Sequence, residues 1–131
     1  MRNAILLLLA TVLCACSAPP PQPTDEELAA TAACTAYQSL YGGRTEVFLH
    51  ARAGAEGHTP QYAEQLLAAC NQHVASVKRL HGGVSQVNVS RVVADSTLHL
   101  MQVFLLLSYG DSTQEEMVVP MVKESGEWKM K

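Results

Sequence analysis

Hydrophobic positions change their spacing twice along this chain, and the changes mark out its elements. Residues 4–13 form an almost unbroken apolar run, and residues 17–23, SAPPPQP, form a proline-rich stretch suited to an extended spacer. Helical periodicity then takes over. Thr24-Asp25-Glu26-Glu27 is a capping box in which Thr24 and Glu27 exchange side-chain and main-chain hydrogen bonds, and three carboxylates complement the positive helix end. Ala33, Ala36, Tyr37 and Leu40 fall on one side of this helix and Thr31, Thr35, Gln38 and Ser39 on the other, with Gly42-Gly43 expected to stop it through a left-handed cap. A short second helix is expected over residues 45–52, with Val47, Phe48 and Ala51 inward and Gly54 ending it. A third begins at Thr59-Pro60 and closes at Gly82-Gly83, with Tyr62, Leu66, Cys70, His73, Val77 and Leu80 as its apolar stripe.

Beyond Gly83 the period drops to two. Val84, Val87, Val89 and Val93 mark a first strand, residues 94–97 a turn, and residues 98–109 a long second strand that is apolar on both faces. Such a strand is expected to be central, with material packed over each face. Strands over residues 115–123 and 127–130 follow, separated by turns at Gly110-Asp111-Ser112 and Glu124-Ser125-Gly126. The expected class is α+β: three helices, then a four-stranded antiparallel meander.

The first fifteen residues change the picture of where this domain works. Arg2, the apolar run and the small residues after it have the layout of a secretory signal, and about ten apolar residues fall short of the roughly 20 needed to span a bilayer. The segment Leu13-Cys14-Ala15-Cys16 resembles the lipobox of bacterial lipoproteins, although Cys14 stands where a small residue is usual. That resemblance implies cleavage after Ala15 and lipidation of Cys16, leaving residues 16–23 as a tether and residues 24–131 as the domain. Several acyl chains, at about 0.8 kcal/mol per buried methylene, would make the membrane attachment effectively permanent. Ser17 occupies the place where Asp signals inner-membrane retention in many Gram-negative bacteria, so the expected location is the cell envelope, at the outer membrane.

Composition narrows the function classes. Once Arg2 is removed, eight Lys and Arg face twelve Asp and Glu, with the basic residues scattered, so nucleic acid is not an expected partner. A chain of this size buries about 60 to 70% of its unfolded surface and needs no metal or disulfide to hold a core. Cys34 and Cys70 remain in the domain. They are either two small buried thiols or a disulfide, which an oxidising envelope would permit.

The closing pattern, Ser108-Tyr109-Gly110-Asp111, then Glu116-Met117-Val118-Val119-Pro120-Met121-Val122-Lys123, then Gly126-Glu127-Trp128-Lys129, resembles the nuclear-transport-factor-two-like superfamily with its cystatin-like cone. The likeness spans about residues 25–131 and is nearest to small bacterial lipoprotein domains of unknown function, some described as lumazine-binding-like. It implies a curved sheet wrapped around the first helix, with a pocket on the concave side. Tyr37, Tyr41, His73, His99, Met101 and Trp128 are the candidate residues for lining that pocket.

Relatives of this kind include ketosteroid isomerase and scytalone dehydratase as well as pure binding modules, so the fold leaves activity open. Isomerase chemistry needs a carboxylate base and an oxyanion donor in the cone. Here Asp95 and Asp111 fall in turns and Asp25, Glu26 and Glu27 cap a helix, so none of these acids is expected inside. His73 and His99 are the ionisable groups on otherwise apolar faces. Cys70 and His73 sit one helical turn apart, but a zinc site needs further ligands and no partner motif supplies them. No metal or cofactor is expected. The leading expectation is a non-catalytic module that binds a small apolar ligand in the cone or a protein on the sheet. Its rivals are an isomerase or dehydratase using His73 or His99, and a structural envelope component that dimerises sheet to sheet.

Overall fold

A computed structural model describes residues 16–131, and the expected signal peptide, residues 1–15, lies outside them. Residues 16–23 are exposed and have no regular structure. Helix α1, Asp25–Tyr41, starts at the expected capping box: Thr24 Oγ1 accepts from the Glu27 amide at 3.2 Å and Glu27 Oε2 accepts from the Thr24 amide at 3.1 Å. Its inward face is built from small residues, Ala29, Ala33 and Ala36, completed by Leu40. Methyl side chains let the helix axis come close to the sheet, which is why so short a stripe buries completely. Gly42 has φ −84°, and the left-handed residue after this helix is Gly43.

Helix α2, Thr45–His50, is shorter than the expected 45–52. The chain leaves the helix because Ala51 and Ala53 bond to the last strand instead. Met130 donates to the Ala51 carbonyl at 2.9 Å, and the Ala53 amide donates to the Met130 carbonyl at 2.7 Å. This parallel bridge at Arg52 and Met130 covers part of an otherwise open sheet edge. Phe48 is buried as expected, whereas Val47 faces solvent.

After a 3₁₀ turn at Ala55–Gly57, helix α3 runs over Pro60–His81, capped by Thr59 and ended by Gly82 at φ 73°. Of the expected stripe on α3, Val77 is buried, but Tyr62 and Leu80 are 47% and 65% exposed. The helix is longer than the core beneath it, so its apolar ends overhang.

The sheet comprises β1 (Val84–Asp95), β2 (Leu100–Tyr109), β3 (Gln114–Glu124) and β4 (Glu127–Met130), antiparallel throughout in the order β1-β2-β3-β4. Two register shifts between β1 and β2, at Val84/Gln86 and Val89/Arg91, bend the first strand. The second resets alternation, which leaves Val93 exposed and extends β1 to Asp95. Along β2, Val103, Leu105, Leu107 and Tyr109 are buried on the concave side, facing the helices. Among the described residues no second layer covers the other side. Phe104 and Leu106 are only half-buried there, and the Arg91 guanidinium lies 3.8 Å from the centroid of the Phe104 ring. Among the described residues, every member of the buried core cluster lies between Ala29 and Met130. Among the described residues no helix is long and apolar enough to cross a membrane.

The turn after α3 docks on the β2–β3 turn. Gly110 donates to the Gly83 carbonyl and Asp111 to the His81 carbonyl, each at 2.9 Å, while Asp111 Oδ2 lies 3.0 Å from His81 Nδ1. Hydrogen bonds from the Thr113 hydroxyl, then from His81 and the Thr113 amide, hold the Asp111 carboxyl down to about 2. A carboxyl whose folded value lies below its unfolded value of about 3.9 supports the fold above that pH and loses the contribution as pH falls towards 2. Urea unfolding should therefore show Asp111→Asn lowering stability at pH 6 and narrowing its gap to the parent chain between about pH 4 and 2. A gap that stayed constant with pH would contradict this role.

Candidate functional site

A cavity of about 480 Å³ lies between the second half of α1, α2, the middle of α3 and the concave ends of β2 and β3. It exists because the two helices approach the sheet differently. The alanine face of α1 lets that helix sit flat on β2, whereas α3 meets the gap with Leu66, Cys70 and His73 and buries only Val77 beyond it. Leu40, Phe48, Leu107 and Met117 give the cavity an apolar floor. An apolar interior with a few convergent polar groups is the usual make-up of a small-molecule site.

The polar groups form two hydrogen-bonded pairs. The Tyr41 hydroxyl lies 2.9 Å from His73 Nε2, with the rings tilted at a centroid distance of 5.9 Å. The Tyr109 hydroxyl donates to Glu115 Oε2 at 2.6 Å, and the His81 ring stacks on Tyr109 from outside at 4.6 Å. Burial, reinforced by the charges of Tyr37 and Glu115, pushes Tyr41 up to about 12. Tyr109 is also pushed up, by burial and then by its bond to Glu115. Both phenols are therefore neutral at ordinary pH, and Tyr109 donates to the Glu115 carboxylate. Tyr37 joins Tyr41 at 6.4 Å and meets Phe48 edge-on at 5.1 Å, forming an aromatic wall. Arg52, held in place by the main-chain bonds of Ala51 and Ala53, completes the lining.

Of the six residues expected in the pocket, Tyr37, Tyr41 and His73 come together here, while His99, Met101 and Trp128 lie outside this cavity. His99 belongs to the exposed turn between β1 and β2 at φ 53°, because β2 begins at Leu100 and not at residue 98. Met101 is at the far end of β2, paired with Met121. Trp128 packs at the start of α1, where its Nε1 donates to Asp25 Oδ1 at 3.4 Å beside the Lys123–Asp25 ion pair at 3.2 Å.

Sequence reasoning passed over Arg52, Tyr109 and Glu115. Alternation carried a signal for two of them: Tyr109 continues the inward series of Leu105 and Leu107, and Glu115 precedes Met117, Val119 and Met121 on one face of β3. Glu115, an acid the sequence reading did not place inside, stands at the beginning of a strand.

Cys34 and Cys70 are free thiols in the structure. Cys34 faces β1, with its Sγ 3.5 Å from the Val87 carbonyl, whereas Cys70 faces the cavity. Burial pushes both thiols up, although the Arg52 charge opposes the shift at Cys70. No group of His, Cys, Asp and Glu suited to a metal ion occurs among the described residues. Residues 16–23 join at the opposite end of α1 from Tyr41, a helix of 17 residues and about 25 Å.

No protein-family model matches this chain, and no curated protein matches its sequence. A solved crystal structure from Campylobacter jejuni, described as an NTF2-like transpeptidase, is similar to it, with a TM-score of 0.60 and 15% identity over 75% of this chain and 92% of that one. At that identity the likeness establishes architecture alone. Three helices followed by a four-stranded antiparallel sheet, superposable over most of both chains, give this protein the NTF2-like fold.

Proposed function

We propose that this protein is a lipid-anchored envelope protein whose folded domain holds a small, largely apolar ligand without transforming it. One observation carries the ligand reading: a 480 Å³ cavity with an apolar floor lies under a helix that is ordered over 22 residues yet buries one. The anchor reading rests on the lipobox-like Leu13 to Cys16 and the proline-rich tether, with the outer membrane as the destination suggested by Ser17. In that arrangement the cavity stands at the membrane-distal end of α1, open to the aqueous side. The likeness of the closing strands to lumazine-binding-like lipoprotein domains is in keeping with a binding role.

Substituting Ala69, an exposed residue on the α3 wall, by Trp introduces an indole into the cavity without disturbing the core. Fluorescence titration with the neutral apolar dye N-phenyl-1-naphthylamine should give saturable binding to residues 24–131 and at least tenfold weaker binding to Ala69→Trp, a loss of about 1.4 kcal/mol. Equal affinity in both proteins would place the dye elsewhere and overturn the reading. For the anchor, Cys16→Ser should abolish incorporation of labelled fatty acid, and continued labelling would refute Cys16 as the lipid acceptor.

A second reading, a small-molecule isomerase or dehydratase, is favoured by the 2.9 Å contact of Tyr41 with His73, since an imidazole beside a neutral phenol can pair proton transfer with oxyanion stabilisation. That reading requires turnover that disappears in His73→Ala, whereas the binding reading requires the dye affinity to survive the substitution. The transpeptidase description of the structural neighbour gains no support from the two thiols, which burial keeps protonated and weakly nucleophilic. A purely structural role through a sheet-to-sheet dimer would use the outer face, where Val93 and Val118 are exposed, and would appear as a doubled mass in solution.

A further inference from the structure

Two opposite charges line the cavity without meeting. Arg52 and Glu115 both border it, yet neither takes part in an ion pair among the described residues. Arg52 is half-buried and is fixed from both sides by the main-chain bonds to Met130. Glu115 is fixed by the Tyr109 hydroxyl, which occupies one of its oxygens and leaves acceptor capacity on the carboxylate. Their fields reach different groups. The Arg52 charge acts on Tyr37 and Cys70, whereas the Glu115 charge acts on Tyr41 and Tyr109. The cavity thus has a cationic pole towards α2 and an anionic pole at the start of β3, separated by the aromatic wall and the apolar floor.

Each simple class of apolar ligand leaves something unpaired here. A neutral hydrocarbon would take water from the half-buried Arg52 and from the cavity side of the exposed Glu115 and return nothing, and desolvating an unpaired charge is costly. A fatty acid would satisfy Arg52 but strand Glu115, and an alkylamine would do the reverse. A guanidinium presents a rigid fork matched to a carboxylate, and a carboxylate accepts strongly from an ammonium. The geometry points to an apolar zwitterion with its charges at opposite ends, its carboxylate on Arg52 and its ammonium on Glu115. A short peptide of apolar residues with free termini is the simplest chemistry of that description.

This inference rests on the cavity being a ligand site, and the test separates the two. Residues 24–131 are first loaded with N-phenyl-1-naphthylamine, and trileucine, N-acetyl-trileucine and trileucine amide are then titrated as displacers. Free trileucine should displace the dye, with each capped form at least tenfold weaker. Arg52→Gln should erase the preference for the free carboxylate over the amide, and Glu115→Gln the preference for the free amine over the acetyl form, each read as the ratio of displacement constants within that variant. If the dye binds but the three peptides displace it equally or not at all, or if octanoate or dodecylamine displaces it better than trileucine, the zwitterion is overturned while the ligand site stands. If the dye does not bind, the site itself falls and the zwitterion with it.

Discussion

Truncating Leu105 to Ala should lower the unfolding free energy of the domain by about 2–5 kcal/mol, measured as a shift of the urea midpoint at unchanged slope. Leu105 is fully buried in the middle of β2, with Val89 and Met117 as its neighbours across the sheet. The helix above it contributes mainly methyl groups, at Ala29, Ala33 and Ala36, with Leu40 near its C-terminal end, so little on that stripe can swing into the space a truncation leaves. The cost should therefore fall in the upper part of that range. A loss below about 1 kcal/mol would mean that α1 settles onto the sheet, contrary to the tight helix-to-sheet contact described above.

Gly110→Ala should be the second most damaging change, at about 1–3 kcal/mol. A Cβ there would stand 2.5 Å from the Gly82 carbonyl oxygen and 3.0 Å from its carbon. Both are main-chain atoms that cannot rotate away. The clash would push the α3–β1 turn off the β2–β3 turn and loosen the amide bonds of Gly110 and Asp111 to that turn. Because Tyr109 and Glu115 flank the same β-turn, the substitution should also weaken dye binding, unlike a surface change of equal size. Unchanged urea stability in Gly110→Ala would show that the two turns have room to separate at no cost.

Much of the fold was legible because local signals agreed with tertiary demands. Thr24 and Thr59 cap helices, Pro60 opens one and Gly82 ends one where side-chain chemistry alone places them. The boundaries that slipped did so where long-range bonds won. Helix α2 stops at His50 because the neighbours of Arg52 bond Met130, and β1 runs on to Asp95 because a bulge at Val89/Arg91 resets its register. Met130 is far from α2 in sequence, and the bulge at Val89/Arg91 pairs with Leu105 and Phe104 well beyond the turn.

The site was legible only in part. Tyr37, Tyr41 and His73 were found from helical spacing, but helical spacing says nothing of strands that close the other wall, and the turn that removes His99 from β2 has no strong sequence marker. Arg52 reads as an ordinary surface cation until the sheet edge captures its flanking residues.

The central claim is that the space between α1, α3 and the sheet is a ligand site. Methyl NMR of residues 24–131 during titration with N-phenyl-1-naphthylamine tests it most directly. Leu40, Leu66, Leu107 and Met117 should shift together and saturate along one binding curve, while Val93 and Val118 on the outer face stay still. Shifts confined to Val93 and Val118, or none at the four cavity residues, would contradict the account.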